Sequence, residues 1–260
     1  MKLDNYPMLR YVLQKDEVPE DRILYGNTDA AEILEQNLRI LQDKRILDTH
    51  VNKVNRWRSE IFSAKRGKDE HKLFDVISEI ELAASLVKIG LMPEFDIKLP
   101  NGKENGKELD LKVTIHQRPV YFEVKTAQEV RSEEEKKRVL GYGAFLLVPD
   151  REEIKIGLEK IKEKVNDLPH DQVLQYQPLV AYYNIAARCH SFYKWVRQEA
   201  NKNVLPILCK YNKISALIIM HGYVGLHPIS FKRTLICNPK AKVPLTDEEK
   251  KLINSLEGFQ

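Results

Sequence analysis

PVYFEVKTA, residues 119–127, decides how this chain is read. Val120, Phe122 and Val124 alternate with the period of a strand that has one buried face, so Glu123 and Lys125 share the other face. ELDLKV, residues 108–113, alternates in the same way, with Asp110 between Leu109 and Leu111. Joined as a hairpin, the two segments set Thr114 against Pro119 and Asp110 across from Glu123, with Ile115 to Arg118 as a four-residue loop. A shift by two, built on a Gln117-Arg118 turn, sets Asp110 across from Lys125 instead. Both registers keep the three charged side chains on one face, whereas a one-residue slip drives Leu109, Leu111 and Val113 to the polar side.

Outward from the hairpin, EFDIKL at 94–99 reads as a preceding strand, and Asn101, Gly102, Asn105 and Gly106 supply the turn between. Before it, Leu73, Ile77, Ile80, Ala84 and Val87 form a helical stripe over about 73–89, stopped by Gly90. From Thr28 to Ala64 the text is helical and lacks proline, with Thr28 or Asp29 as a start cap. The polar stretch 63–71 divides the chain into a helical N-terminal lobe (1–66) and a second domain (67–260). After the hairpin, Ile154, Leu158, Ile161 and Val165 predict a helix, PLVAYYNI at 178–185 a strand, 191–211 a helix interrupted by Pro206, and ISALIIM at 214–220 a buried strand. The fold class is α/β, a mixed sheet flanked by helices.

The chain has 260 residues, 43% of them hydrophobic, enough for a sizeable core, and its net charge of +4 permits an anionic partner without requiring one. The start is charged and lacks an apolar core, and no segment has the length of a membrane span, which predicts a cytoplasmic protein with no membrane partner. Cys189, Cys209 and Cys237 form no CxxC pair and predict reduced, mostly buried thiols.

Two carboxylates across a strand pair lie about 4.5–5.5 Å apart at Cβ, close enough to share one divalent cation. Mg²⁺ needs only one or two carboxylates and binds phosphate oxygens, which suits this ligand set better than Zn²⁺, which takes His or Cys. Lys125, about 7 Å along the strand from Glu123, is placed to orient or help deprotonate a water and to offset phosphate charge.

This constellation resembles the PD-(D/E)xK nuclease superfamily. Asp110 matches the first acid, in ELD rather than PD, and Glu123-Val124-Lys125 matches D/E-x-K. EIELAASLVKIG resembles the family's helix pattern from Glu79, with Ala83, Ala84, Leu86 and Gly90 in place; Glu81 is the rival acid. The tail CNPKAKVPLTDEE is similar to the ending of some restriction-endonuclease-like proteins. Over residues 72–248 the resemblance implies a restriction-endonuclease-like αβββαβ core and a metal-dependent endonuclease that hydrolyses phosphodiester bonds, with DNA as the leading polymer, a restriction or host-defence role, and a homodimer admitted. It implies Asp110, Glu123, the Val124 carbonyl and, directly or through water, Glu79 as ligands to Mg²⁺, for which Mn²⁺ can substitute. The alternative is a nucleic-acid-binding or assembly protein on the same fold without catalysis.

Residues 187–240 carry nine Lys and Arg against one acid, Glu199, with aromatics interleaved. This suits phosphate backbone and exposed bases, and selects Lys194, Arg197, Lys232 and Arg233 as nucleic-acid contacts; the competing reading is a core of aromatics under a solvated basic face. A smaller basic excess, including Lys53, Arg56 and Arg58 around Trp57, has the same two readings. GKENGKE at 102–108 has the wrong spacing for a phosphate loop and reads as a turn, and no G-x-S-x-G, H-E-x-x-H or G-x-G-x-x-G occurs.

Overall fold

A computed structural model describes residues 1–65, 70–98, 108–126, 158–161, 163, 176–184, 204–222 and 231–256. Four helices come first: α1 (Pro7–Leu13), α2 (Thr28–Asp43), α3 (Ile46–Thr49) and α4 (Val51–Ser63). Then follow α5 (Glu70–Lys88), β1 (Glu94–Lys98), β2 (Glu108–Ile115), β3 (Arg118–Thr126), β4 (Leu179–Asn184), α6 (Leu205–Leu208), β5 (Ala216–Gly222), β6 (Phe231–Cys237) and α7 (Asp247–Asn254). The strands form one mixed six-stranded sheet in the order β1-β2-β3-β4-β5-β6. β4 runs parallel to β3 and β5, and the other neighbours are antiparallel.

The helical text from 28 to 64 is three helices rather than one. A straight helix of that length would span about 54 Å. Arg45, at φ +57°, turns the chain between α2 and α3, and His50 separates α3 from α4. These bends bring Leu41, Ile46, Leu47, Val54 and Trp57 into the core. The start of α2 is capped by Asn27, whose side chain accepts the Ala30 N–H at 3.1 Å, not by Thr28 or Asp29.

The helical segment does not keep a core of its own. Leu9, Leu34, Leu38 and Trp57 belong to the same buried cluster as Ile80, Ala84, Val113, Phe122 and Ile253, so the N-terminal helices and the sheet share one hydrophobic interior. α5 lies inside it, and every residue from Val76 to Val87 is buried. The expected one-sided stripe is therefore a helix enclosed on all sides. It ends at Gly90, φ +85°, where Gly90 N–H donates to the Val87 carbonyl and Leu91 N–H to the Leu86 carbonyl, a Schellman closure.

The β2–β3 hairpin takes the first of the two registers, with Thr114 opposite Pro119 and Leu111 opposite Phe122. Ile115 also pairs with Arg118, so the loop is the two residues His116 and Gln117 rather than four. Their φ angles, +47° and +67°, are those of a type I′ turn, which favours Asn-Gly. Replacing His116-Gln117 by Asn-Gly should raise stability by about 1 kcal/mol, because both present residues bear left-handed strain; an unchanged urea midpoint would contradict the turn assignment.

β6 and α7 have no counterpart in the sequence reading, which ended the element order at β5. The signal for α7 is nonetheless present: Thr246 and Glu249 form a capping box, with the Glu249 N–H donating to Thr246 Oγ1 and the Thr246 N–H to Glu249 Oε2. Cys209 and Cys237 are free thiols but partly exposed, not buried; Cys189 lies outside the described residues. So do the turn glycines at 102 and 106 and most of the expected helices at 154–165 and 191–211. Among the described residues no helix is long and apolar enough to cross a membrane.

Candidate functional site

The two faces of the sheet bury separate clusters. Val113, Phe122, Val124, Val180 and Tyr182 face α5, while Tyr121, Ala181, Tyr183 and Leu217 face the other way, with Leu158 and Ile161. β2 departs from this alternation at one point. Leu111 and Val113 belong to the α5 side, but Leu109 packs with the opposite cluster. The period-two expectation that put Leu109 on the same face as Leu111 and Val113 fails at the residue between them, Asp110.

The ladders are interrupted there too. β1 registers Phe95 with Leu111 and Ile97 with Leu109, passing over Asp96 and Asp110, and Asp96 has φ +49°. The register is unshifted across this break, and Leu109 and Leu111 on either side of Asp110 pack on opposite faces. Asp110 Oδ2 accepts the Val124 N–H at 2.8 Å, so its carboxylate sits at the centre of Glu123-Val124-Lys125. The β2–β3 ladder itself ends at Leu111 opposite Phe122, one residue before Asp110.

Glu123 is fully buried and forms an ion pair with Lys125, Oε1 to Nζ 2.8 Å. Burial works to lower the Lys125 pKa, but the charges of Glu123 and Asp110 outweigh it and raise it, so the amine is a fixed ammonium. It can hold and neutralise an anion but is a poor proton acceptor at neutral pH.

α5 passes the same end of β3. Asp75 Oδ1 accepts the Thr126 N–H at 2.9 Å, and Glu79 follows one helical turn later. Asp75 was not anticipated from the sequence, although its four-residue spacing from Glu79 puts both on one helix face. Glu79 is buried; its Oε2 accepts the Trp57 indole N–H at 2.9 Å and its Oε1 pairs with Lys53. Lys53 also reaches Asp96 Oδ1 at 2.7 Å, where Arg56 joins at 3.1 Å. The basic excess around Trp57 therefore does not form a simple solvated surface: Lys53 and Trp57 are buried on the Glu79 side, and Arg56 is engaged by Asp96 and Glu60.

Burial and the neighbouring Asp110 charge push the Glu79 carboxyl up to about 7, against the opposing pull of Lys53 and the Trp57 N–H. Lys53 divides its charge between Glu79 and Asp96, which limits that pull. A carboxyl held above its ordinary value of 4.5 stabilises the fold fully below that pH, and the contribution is lost as pH rises to about 7. The stability of the wild type relative to Glu79→Gln should therefore fall between pH 4.5 and 7 and level off above. Thermal midpoints of both proteins across that range test this; a constant or rising difference would contradict it.

The rival acid is occupied elsewhere. Glu81 pairs with Arg233 and accepts hydrogen bonds from Tyr182 Oη at 2.6 Å and Ser85 Oγ at 3.0 Å. Arg233 also donates to Ser85 Oγ at 2.9 Å, and its side chain is 1% exposed. The expectation that Arg233 contacts nucleic acid is thus corrected: its guanidinium is spent inside the fold on Glu81. Lys232 stands on β6 opposite His221, with its side chain outside the described residues, as are Lys194 and Arg197.

Among the described residues, no three His, Cys, Asp or Glu side chains gather into a metal-holding group. Asp110 and Glu123, with the Val124 carbonyl, offer an all-oxygen set that suits Mg²⁺, which takes few protein ligands and keeps several waters. No protein-family model, curated protein or solved structure matches the chain.

Proposed function

We propose that this protein is a Mg²⁺-dependent nuclease whose core is restriction-endonuclease-like and whose substrate is nucleic acid, with DNA the first candidate. The observation that carries the reading is the Asp110 carboxylate held on the backbone of Val124, between Glu123 and Lys125. Two acids and a fixed ammonium meet where the β1–β2 pairing breaks at Asp110, and a buried helix brings Glu79 within range of Asp110. That is more than a solvated polar strand face requires.

In this reading Asp110, Glu123 and the Val124 carbonyl hold the cation. Mg²⁺, when bound, polarises a phosphate oxygen and lowers the pKa of water. Lys125 orients the attacking water and offsets charge that builds on the phosphate in the transition state. Asp75 fixes the end of β3 through the Thr126 N–H and so positions Lys125. Restriction or host defence is the physiological setting that the family resemblance suggests.

One observation favours the second reading, a nucleic-acid-binding protein without catalysis: Glu123 and Glu79 already have lysine partners inside the protein. Incubation of the full chain with labelled duplex and single-stranded DNA and RNA, with Mg²⁺ or with EDTA, separates the two. The nuclease reading predicts Mg²⁺-dependent cleavage of at least one polymer. Retained binding without product in any arm would support the second reading.

A further inference from the structure

Lys53 belongs to α4, outside the segment that carries the nuclease resemblance, yet it ends beside Glu79 with its side chain 2% exposed. A lysine so deep is retained only where carboxylates compensate it. Glu79 Oε1 and Asp96 Oδ1 do so, while Trp57, one helical turn from Lys53 on α4, covers the second Glu79 oxygen. Both oxygens of Glu79 thus face donors from the N-terminal helices. The ammonium occupies the place between Glu79 and Asp96 that a cation would otherwise take, and like charges exclude one another at such range.

We propose that Lys53 is a built-in counter-ion that removes Glu79 from the ligand set, so that the site takes one divalent ion rather than two. The inference rests on the reading that Asp110 and Glu123 hold a divalent cation. It makes Lys53 a positioning residue and the N-terminal helices part of the site, where the resemblance alone admitted Glu79 as a ligand.

Mn²⁺ alone, titrated into the full-length protein and counted by electron paramagnetic resonance, tests this without reference to cleavage. The wild type should bind one ion, Lys53→Met two, and Lys53→Met with Glu79→Gln one again. Two ions in the wild type, one in a folded Lys53→Met protein, or two in the double variant would overturn the proposal. Should circular dichroism show Lys53→Met unfolded, Glu79→Gln alone decides: one ion upholds the proposal and none overturns it. A wild type that binds no Mn²⁺ removes the metal-site reading and this inference together, whereas binding with the wrong counts removes only the inference.

Discussion

Asp110→Asn and Lys125→Met should each slow Mg²⁺-dependent cleavage by about 10²–10³-fold, the usual loss when one electrostatic partner of a transition state is removed. The substitutions are chosen to spare the fold. Asparagine keeps an oxygen that can accept the Val124 N–H, so the link from β2 to β3 is retained while the negative charge is lost. Methionine keeps the unbranched stem of Lys125 as far as Cε without its ammonium. The substitution removes the Lys125 ion pair from the buried Glu123, so thermal midpoints must accompany the rates. A rate that falls while the midpoint holds assigns the effect to the site; full activity in either folded variant contradicts the roles given to these residues.

Arg233→Met should produce the largest loss of stability, about 3–5 kcal/mol, because it strands the buried Glu81 carboxylate. The reason lies in the packing around α5 and β6. Glu81 gathers Arg233, Tyr182 and Ser85 in a region closed to water, and Tyr182 Oη also lies 2.7 Å from Met220 Sδ. Adding Glu81→Gln to Arg233→Met should recover part of the loss, since a neutral side chain no longer needs the guanidinium. Urea unfolding of the three proteins measures this; a surface arginine would cost under 1 kcal/mol, and a loss that small would show that Arg233 does not serve the core.

The comparison of Arg233 with Lys53 shows where local sequence stops being informative. Both lie in basic, aromatic-rich text of the kind that a nucleic-acid surface has. What distinguishes them from surface lysines is a partner far along the chain: Glu81 is 152 residues from Arg233, and Asp96 is 43 from Lys53. Periodicity sees neighbours at two, three and four residues and is blind to such pairs. The same limit explains α5, whose apolar stripe was legible while its complete enclosure was not, because the helices on its far side come from residues before 64.

The hairpin was legible for the opposite reason. Alternation in two adjacent segments, a short connection and side-chain parity together constrain the register, and Thr114 does meet Pro119. The break at Asp110 was not, since Leu109 and Leu111 read alike in sequence and only their packing assigns them to opposite faces. The family's helix pattern starts at Glu79, with Glu81 as the rival; the geometry brings Glu79 near Asp110 and gives Glu81 to Arg233. Lys53, Trp57, Asp75 and Asp96 complete that neighbourhood and carry no local signature beyond the four-residue spacings of Lys53 with Trp57 and Asp75 with Glu79.

The central claim is that Asp110, Glu123 and Lys125 together support metal-dependent phosphodiester hydrolysis. The measurement that tests it most directly is a time course of product release from end-labelled nucleic acids by the purified wild type and Asp110→Asn, each with Mg²⁺ and with EDTA. The account predicts product only from the wild type with Mg²⁺, at a rate at least about a hundredfold above the variant. Equal rates in the two proteins, or product that persists in EDTA, would contradict it.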